Sequence, residues 1–481
     1  MATILPEFDK LDFKHGEPVD NPYFPLQPGT ILSYSGETKD HEIESNDVFT
    51  TFETRKIAGV TTTIVRDTAY VDGVLVEDTV DWYAQDKFGN VWYLGELTFA
   101  FEYDDNGVYV ETVTDGSWEA GVVVDPEVDP TVTAQPGFIM PNAANLQDFL
   151  ESGDTVFQEF APGVAEDVSE VKSLTDEVQI DALGPDPVAD VLRTLETTAL
   201  EPEVADFKYF APGIGNVRTE ELSQKPNGTF QVDLTVDLVG IRDLDQVADN
   251  LKEAEASDFV GKGSTTYVTV IAADGDHSVG AYGFNQGTGE IGEGSILFSS
   301  TESLTAEDAS ASFELSRKEG LGLFIVPEGG ALDEVGLDLS EFSDGGLVFT
   351  NFFTLSSATL GDGGAPLVSD GALSFEAPVN LPEFDGEEEV LPLPLQIFHA
   401  LDGSSDGINL LNPAGGLQAV DLDWEDEAVT LLGFEDRRVT DPQYDGDYDD
   451  LVLAVSDGPL DAAAIQQIAA GLGLAEDTLI G

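Results

Sequence analysis

The sequence predicts a mainly β protein: an N-terminal antiparallel curved sheet or half-barrel domain, followed by a C-terminal β-sandwich domain of jelly-roll-like arrangement. Three observations predict it. Long stretches alternate β-branched or aromatic residues with polar ones, the period of a half-buried strand. The 49 Gly and 24 Pro in 481 residues supply far more turn punctuation than long helices tolerate. With 41% hydrophobic residues the chain has enough apolar surface to fold, and at this length it holds more than one core.

Taken in order, the N-terminal part opens on an extended lead-in, NPYFPLQPGTILSYSGE from Asn21, where Pro and Gly interrupt aromatic residues. Thr61 to Phe101 reads as an antiparallel meander broken by VDG and KFGN turns. Within it Trp82 and Tyr83 fall on opposite sides of one strand, and Trp92 and Tyr93 on opposite sides of its partner, which places an aromatic pair on each face. Further strands are expected at Gly107 to Thr114, Val178 to Asp181 and Val188 to Thr198, and FKYFAPGIGNVRTEEL ends the region as two short strands around a Pro-Gly turn. The first domain is bounded at residues 1–235. Residues 236–257 read as a linker or short exposed helix, with DLDQVADNLKEAEA (Asp243 to Ala256) as its helical part. Residues 258–458 hold the strands TTYVTVIAA, VGAYGFN, GSILFSS, SASFELS, LGLFIVP and LVFTNFF at sandwich-like spacing. Residues 459–481 form a C-terminal helical tail, Ala-rich from Leu460 to Leu474, with Gly471 and Gly473 weakening its last turn.

Charge narrows the function. Ninety-four Asp and Glu against 19 Lys and Arg give a formal charge of −75, which repels nucleic acid and anionic lipid surfaces. Such a chain is relieved by salt or by bound cations. No Cys is present, which excludes disulfides and thiolate chemistry, and four scattered histidines, His15, His41, His277 and His399, make a His-based zinc site improbable. No window is long and apolar enough to span a bilayer. Met1 to Pro18 lacks a basic region followed by an apolar run, so the expectation is either export through a C-terminal signal to the exterior or cell surface, or residence in the cytoplasm of a salt-accumulating cell.

The densest chemical signal is GFEDRRVTDPQYDGDYDDLVLAV, Gly433 to Val455. An empty folded loop with this many carboxylates is costly, whereas calcium takes roughly six to eight oxygen ligands from carboxylates, carbonyls and water. The predicted metal ligands are Glu435, Asp436, Asp445, Asp447, Asp449 and Asp450, with Ca²⁺ as the ion. Asp445, Asp447 and Asp449 imitate the start of an EF-hand, but Asp450 occupies the position of the turn glycine and Ser456 that of the closing glutamate, so a calcium loop between two strands fits better. A solvated acidic loop is the plainer alternative.

The segment Gly433-Phe434-Glu435-Asp436, then Asp445-Gly446-Asp447-Tyr448-Asp449-Asp450 and LVLAV, resembles the signature of the bacterial domain of unknown function 4114 (DUF4114). AYGFNQGTGEIGEGSILFSS, GLGLFIVPEGG and the Asn-Pro turn of LLNPAGG are similar to the same family, over roughly residues 260 to 457. The resemblance implies a secreted or surface protein, since the family often occurs beside calcium-binding repeats. Arg437 and Arg438 stand where many relatives carry a glycine run and are candidates to pair with the carboxylates. The closing AEDTLIG resembles half of a glycine-rich calcium repeat, too little for a stacked roll. NPYFPLQPG, DWYAQD, GNVWYLGE and KYFAPGIG resemble an uncharacterised bacterial family.

An enzyme is not expected. Gly403-Ser404-Ser405-Asp406-Gly407 fits G-x-S-x-G but is followed by INLLNPAGG rather than a helix, so it reads as a turn. Asp81, Glu96 and Glu119 lie near aromatic residues, as a glycosidase pair would, but read as a solvated strand face, with Trp82, Trp92 and Trp118 as ordinary core. The expected function is a secreted or surface calcium-binding module with a structural or adhesive role. The alternatives are a carrier of a hydrophobic ligand in the N-terminal domain, a salt-adapted cytosolic protein without a metal site and, further off, a carboxylate hydrolase. Candidate partners are a surface glycan, a matrix component or a hydrophobic small molecule.

Overall fold

The structure, a computed structural model, describes residues 2–124, 128–225, 228–244, 265–351, 353, 356–361, 365–371, 391–401, 409, 411–424, 428–441, 444–474 and 478–480. Most of the expected linker helix, the G-x-S-x-G turn and part of AEDTLIG lie outside the described residues. The chain divides into two compact units, one of Met1–Ala100 and Val113–Asp243, the other of Phe101–Thr112, Leu244–Leu373 and Val390–Gly481. Both are mainly β, as the alternation requires.

The first unit is one long sheet, antiparallel except where the short strand Thr3–Ile4 pairs in parallel with Thr155–Phe157. Its strands are β1 (Thr30–Glu37), β2 (Ile43–Ile57), β3 (Val60–Val71), β4 (Val74–Gln85), β5 (Val91–Tyr103), β6 (Trp118–Glu119), β7 (Gln135–Met140), β8 (Thr155–Phe157), β9 (Glu159–Phe160), β10 (Asp167–Val178), β11 (Val188–Thr198), β12 (Val204–Ala211), β13 (Gly215–Gln224) and β14 (Phe230–Asp243). Two meanders, β1 to β5 and β10 to β14, join through the pairing of β14 with β1. The path runs β8, β10 to β14, β1 to β5, β7, β9. Beyond β8 the short strand Thr3–Ile4 adds in parallel and forms that edge, while β8 and β9 follow each other in the chain around Gln158, whose N–H donates to the Asp167 carbonyl at 2.8 Å. A twisted sheet whose β8 and β9, at its far sides, are consecutive in the chain curls without closing, and every second residue then faces the hollow.

The expected meander forms, and Tyr83 stacks on Tyr93 with ring centroids 4.8 Å apart. The tryptophans do not pair, because β5 bulges between the Asp81–Glu96 and Tyr83–Tyr93 pairs. Gly95 makes the bulge possible: its φ is +137°, and a Cβ there would meet the Trp118 carbonyl oxygen at 2.3 Å. Trp92 packs instead on Phe8, Phe13 and Phe138, and Trp82 lies under Arg55. Two readings are corrected. Val178 to Asp181 is not a strand; Val178 closes β10, and Asp181–Leu183 is a 3-10 turn. Residues 236–243, read as the start of a linker, are the second half of β14, held by β13 and β1.

The second unit is a sandwich. One sheet carries β15 (Thr265–Ala273), β18 (Ser310–Glu314), β21 (Ala419–Leu422), β22 (Val429–Phe434) and β23 (Leu451–Ser456). The other carries β16 (Ser278–Asn285), β17 (Ile291–Phe298), β19 (Glu319–Val326) and β20 (Phe398–His399). Val268, Val270, Leu432 and Leu453 from the first sheet bury against Val279, Leu323, Ile325 and Phe398 from the second. The outer face of the first sheet is covered by the helix Ala462–Leu472, through Ile465, Ile468 and Ala469 on Ile271, Val452 and Ala454. That helix starts on Asp461, whose side chain accepts the Ala464 N–H, and stops at Gly473 in the left-handed region, φ +75°.

Candidate functional site

Between β22 and β23 the chain leaves the sandwich and returns. The ladder continues one residue past β22, the Glu435 N–H donating to the Gln418 carbonyl at 3.0 Å. The neck is closed by the Asp450 carboxylate, which accepts the Asp436 N–H at 2.9 Å, while the Asp450 carbonyl accepts the Asp274 N–H at 2.6 Å. Gly433 permits the return, since a Cβ there would meet the Tyr448 carbonyl oxygen at 2.2 Å.

This neck points Glu435 into the loop. Its residue is only 1% exposed, one oxygen accepts the Tyr448 N–H at 2.6 Å, and burial with the charges of Asp450 and Asp445 pushes its carboxyl up to about 7. Oxygens of Glu435, Asp445 and Asp447 lie within 4.8 Å of one another. Asp449 is exposed, and its hydrogen bond to Asp447 holds its carboxyl up to about 6, as two carboxyls sharing a proton do. Asp450 is also held up to about 6, mainly by burial.

Asp436 turns the other way, toward His277 and Glu328, with 3.9 Å between its oxygen and His277 Nε2. Both ring nitrogens of His277 are already engaged: Nε2 faces the Asp274 carbonyl at 3.1 Å, and Nδ1 accepts the Glu328 N–H at 3.3 Å. That pattern assigns a neutral ring with its proton on Nε2, and burial lowers its pKa further. The ring has no lone pair left for a metal. The six predicted ligands thus separate into a triad, a neck residue, an exposed neighbour and a carboxylate turned to His277. Arg437 reaches Asp436 and Asp441, each at 4.0 Å.

The first unit holds a second constellation that sequence reasoning missed. Asp81, Glu96 and Glu119 were expected on a solvated face, but Asp81 and Glu119 are 9% and 7% exposed. Strand alternation separates them. Glu119 faces Arg55 at 2.8 Å, whereas Asp81 and Glu96, directly opposite on β4 and β5, share the Tyr93 hydroxyl at 2.5 and 3.0 Å. A phenol carries one proton, so the close approach of two carboxyls is satisfied when one of them keeps its own. Glu159 accepts the Trp118 indole N–H at 2.6 Å on the same side. Burial, and then the neighbouring carboxylates, push Asp81 and Glu159 up to about 8 and Glu96 well above its ordinary range. The tryptophans are core, as expected: Trp82, Trp92 and Trp118 are 1, 3 and 0% exposed.

In front of this group the hollow holds a partly open cavity of about 400 Å³. Its lining combines Phe24, Leu32, Val48 and Phe210 with Asp67, Glu77, Asp81 and Glu221. Burial pushes Asp67 and Glu221 up to about 7. Lys208, also in the lining, is paired with Glu196 at 2.9 Å, and that pairing raises its pKa.

No family model matches the chain, and no curated protein matches it. Among solved structures it is similar to a candidate exported protein with YmcC-like fold from Bacteroides fragilis NCTC 9343, at 12% identity and a TM-score of 0.26, over 46% of this chain and 99% of that one. It is also similar to a candidate lipoprotein from Parabacteroides distasonis ATCC 8503, at 13% identity and a TM-score of 0.22, over 46% of this chain and 99% of that one. Similarity at this level carries no functional argument. Among the described residues no helix is long and apolar enough to cross a membrane.

Proposed function

We propose that the protein is a calcium-binding β-module acting outside the cytoplasm in a binding or structural role rather than as a catalyst. One observation carries this: a glutamate 1% exposed, Glu435, has its carboxylate within 4.8 Å of two others, Asp445 and Asp447. Bringing three negative groups together beside a buried position is unfavourable until a hard cation sits among them. Calcium suits such a site better than magnesium, because it accepts irregular oxygen ligands at variable number, with water and loop carbonyls completing the set. The DUF4114 resemblance of the same segment supports this reading. An affinity on the order of 10⁻⁴ to 10⁻³ M would suit calcium levels outside cells.

The test is calorimetric unfolding with calcium, magnesium or chelator at fixed ionic strength. The expected result is calcium-specific stabilisation of one transition, removed by Asp445→Asn with Asp447→Asn. An equal response to all salts would reduce the loop to a screened acidic surface. A second reading, that the first unit carries a small molecule, is favoured by its cavity of about 400 Å³, within the range of small-ligand sites.

A further inference from the structure

The cavity of the first unit has a composition unlike that of a carrier for neutral lipids. At about 400 Å³ it has room for an aliphatic or aromatic body, with Phe24, Leu32, Val48, Val65, Phe210 and Val236 in the lining. Its charged groups are carboxylates with a single lysine, beside neutral polar residues such as Asn46, Asn216 and Thr219. Among the described residues none of Asp67, Glu77, Asp81 and Glu221 has an ion-pair partner, and the lysine of the lining is taken by Glu196. A carboxylate cluster in itself says nothing about a ligand in a chain with 94 acidic residues.

A separate observation does. Tyr83 lines the cavity, is 8% exposed and stacks on Tyr93, yet among the described residues nothing hydrogen-bonds its hydroxyl. The side chain is nine-tenths buried while its hydroxyl is reached from the cavity, so a polar group of a ligand, or water, completes it there. Phe24 meets the Tyr83 ring edge-on at 5.2 Å, so aromatic surface stands beside the anionic patch. An aromatic surface next to carboxylates attracts an organic cation twice over, through the ring quadrupoles and through charge.

Resting on the carrier reading of this cavity, we infer that it binds an organic cation: an ammonium or guanidinium group set against Asp81, Asp67 and Glu77 within reach of the Tyr83 hydroxyl, on an apolar body lying against Phe24, Leu32 and Phe210. Carboxyls that burial pushes up become favourable as anions once such a group replaces their protons. An anionic amphiphile such as a fatty acid is disfavoured by the same groups.

Three probes of equal length and different heads test this without any mutation: n-octylammonium, 1-octanol and octanoate, titrated calorimetrically into the full chain in chelator at constant ionic strength. Octylammonium is expected to bind at least tenfold more tightly than octanol, with octanoate weakest. Asp81→Asn should reduce octylammonium affinity about tenfold and leave octanol unchanged, and Tyr83→Phe should produce a smaller loss confined to polar heads. Equal binding of octylammonium and octanol would overturn the inference while leaving a neutral carrier standing. Preference for octanoate, or no binding by any probe, would overturn the inference, and the absence of binding would remove the carrier reading with it.

Discussion

In the first unit the buried and half-buried carboxylates are spread over many strands of one curled sheet, among them Asp67 on β3, Asp78 and Asp81 on β4, Glu96 on β5, Glu119 on β6, Glu159 on β9, Glu196 on β11 and Glu221 on β13. In the second they sit on one connection between adjacent strands, from Glu435 to Asp450. The first arrangement is half-buried to buried, so its charge is handled by protonation or by the protein's own cations: Arg66 on Asp78, Arg55 on Glu119, Lys208 on Glu196. The second is open at Asp445, Asp447 and Asp449 and buried only at Glu435, so an ion from solution can reach it. The same excess of negative charge thus takes two forms, according to whether the backbone or the solvent surrounds it.

The largest expected effect tests the internal cations. Arg66 makes a two-pronged contact with Asp78, Nε to Oδ1 at 2.8 Å and Nη2 to Oδ2 at 2.5 Å, and both side chains are mostly buried. Arg66→Ala leaves Asp78 without its partner and should cost about 3–5 kcal/mol. The measurement is denaturant unfolding of the first unit; Arg66→Ala with Asp78→Ala should recover much of the loss. A negligible loss in the single variant would mean that this unit does not depend on internal neutralisation.

Protonation is tested by pH. Asp81 and Glu159 titrate near 8 in the fold and near 4 in the unfolded chain, so between those values the native state holds the extra protons. Stability is then fully present below about pH 4 and falls as pH rises through 8, at up to about 1.4 kcal/mol per pH unit for each proton. The unfolding transition of the first unit, followed in chelator from pH 5 to 9, should move down with pH. Asp81→Asn should flatten the slope. A transition that rises across this window would contradict the assignment.

Solution cations come next. Calcium at a hundredfold excess over its dissociation constant should stabilise the second unit by about 2.7 kcal/mol, read as a shift of one calorimetric transition, with the first unit unmoved. Asp447→Asn alone should remove most of the shift. A shift in both transitions would show that calcium acts through general screening.

What the sequence made legible follows the same division. The acidic loop stands out because its carboxylates are neighbours in the chain, and the sandwich strands are visible because each alternates or runs apolar between Gly and Ser turns. Asp81 stands out in the sequence only for its aromatic neighbours, and its burial is not legible there, because Asp67, Glu96 and Glu159 approach it through strand pairings that no local pattern encodes. A clue did exist: Asp81, Trp82 and Tyr83 alternate within a strand otherwise rich in buried residues, and the same period put Asp81 and Tyr83 on one face. Strand β10, DVSEVKSLTDEV, escaped notice because its polar residues face both sides, and β14 was cut at residue 235 because DLVGIRD lacks clear alternation. The divergence of Asp436 from Glu435 was implicit in the same period, since consecutive residues leaving a strand point apart.

The smallest expected effect separates two geometries of the loop. Asp449 is exposed and shares a hydrogen bond with Asp447, whereas Asp447, and not Asp449, is within reach of both Glu435 and Asp445. In the absence of metal Asp449→Asn removes a like charge from the surface, and the second unit should change by no more than about 0.5 kcal/mol, toward greater stability. The calcium shift should survive the substitution nearly intact, because the triad keeps all three of its carboxylates. Loss of that shift to the degree produced by Asp447→Asn would instead mean that the loop closes on the ion with Asp445, Asp447 and Asp449 together, the alternating spacing of the sequence prevailing over the arrangement held without metal. The two variants, measured side by side with and without calcium, distinguish a preformed site around the buried Glu435 from one that the ion itself assembles.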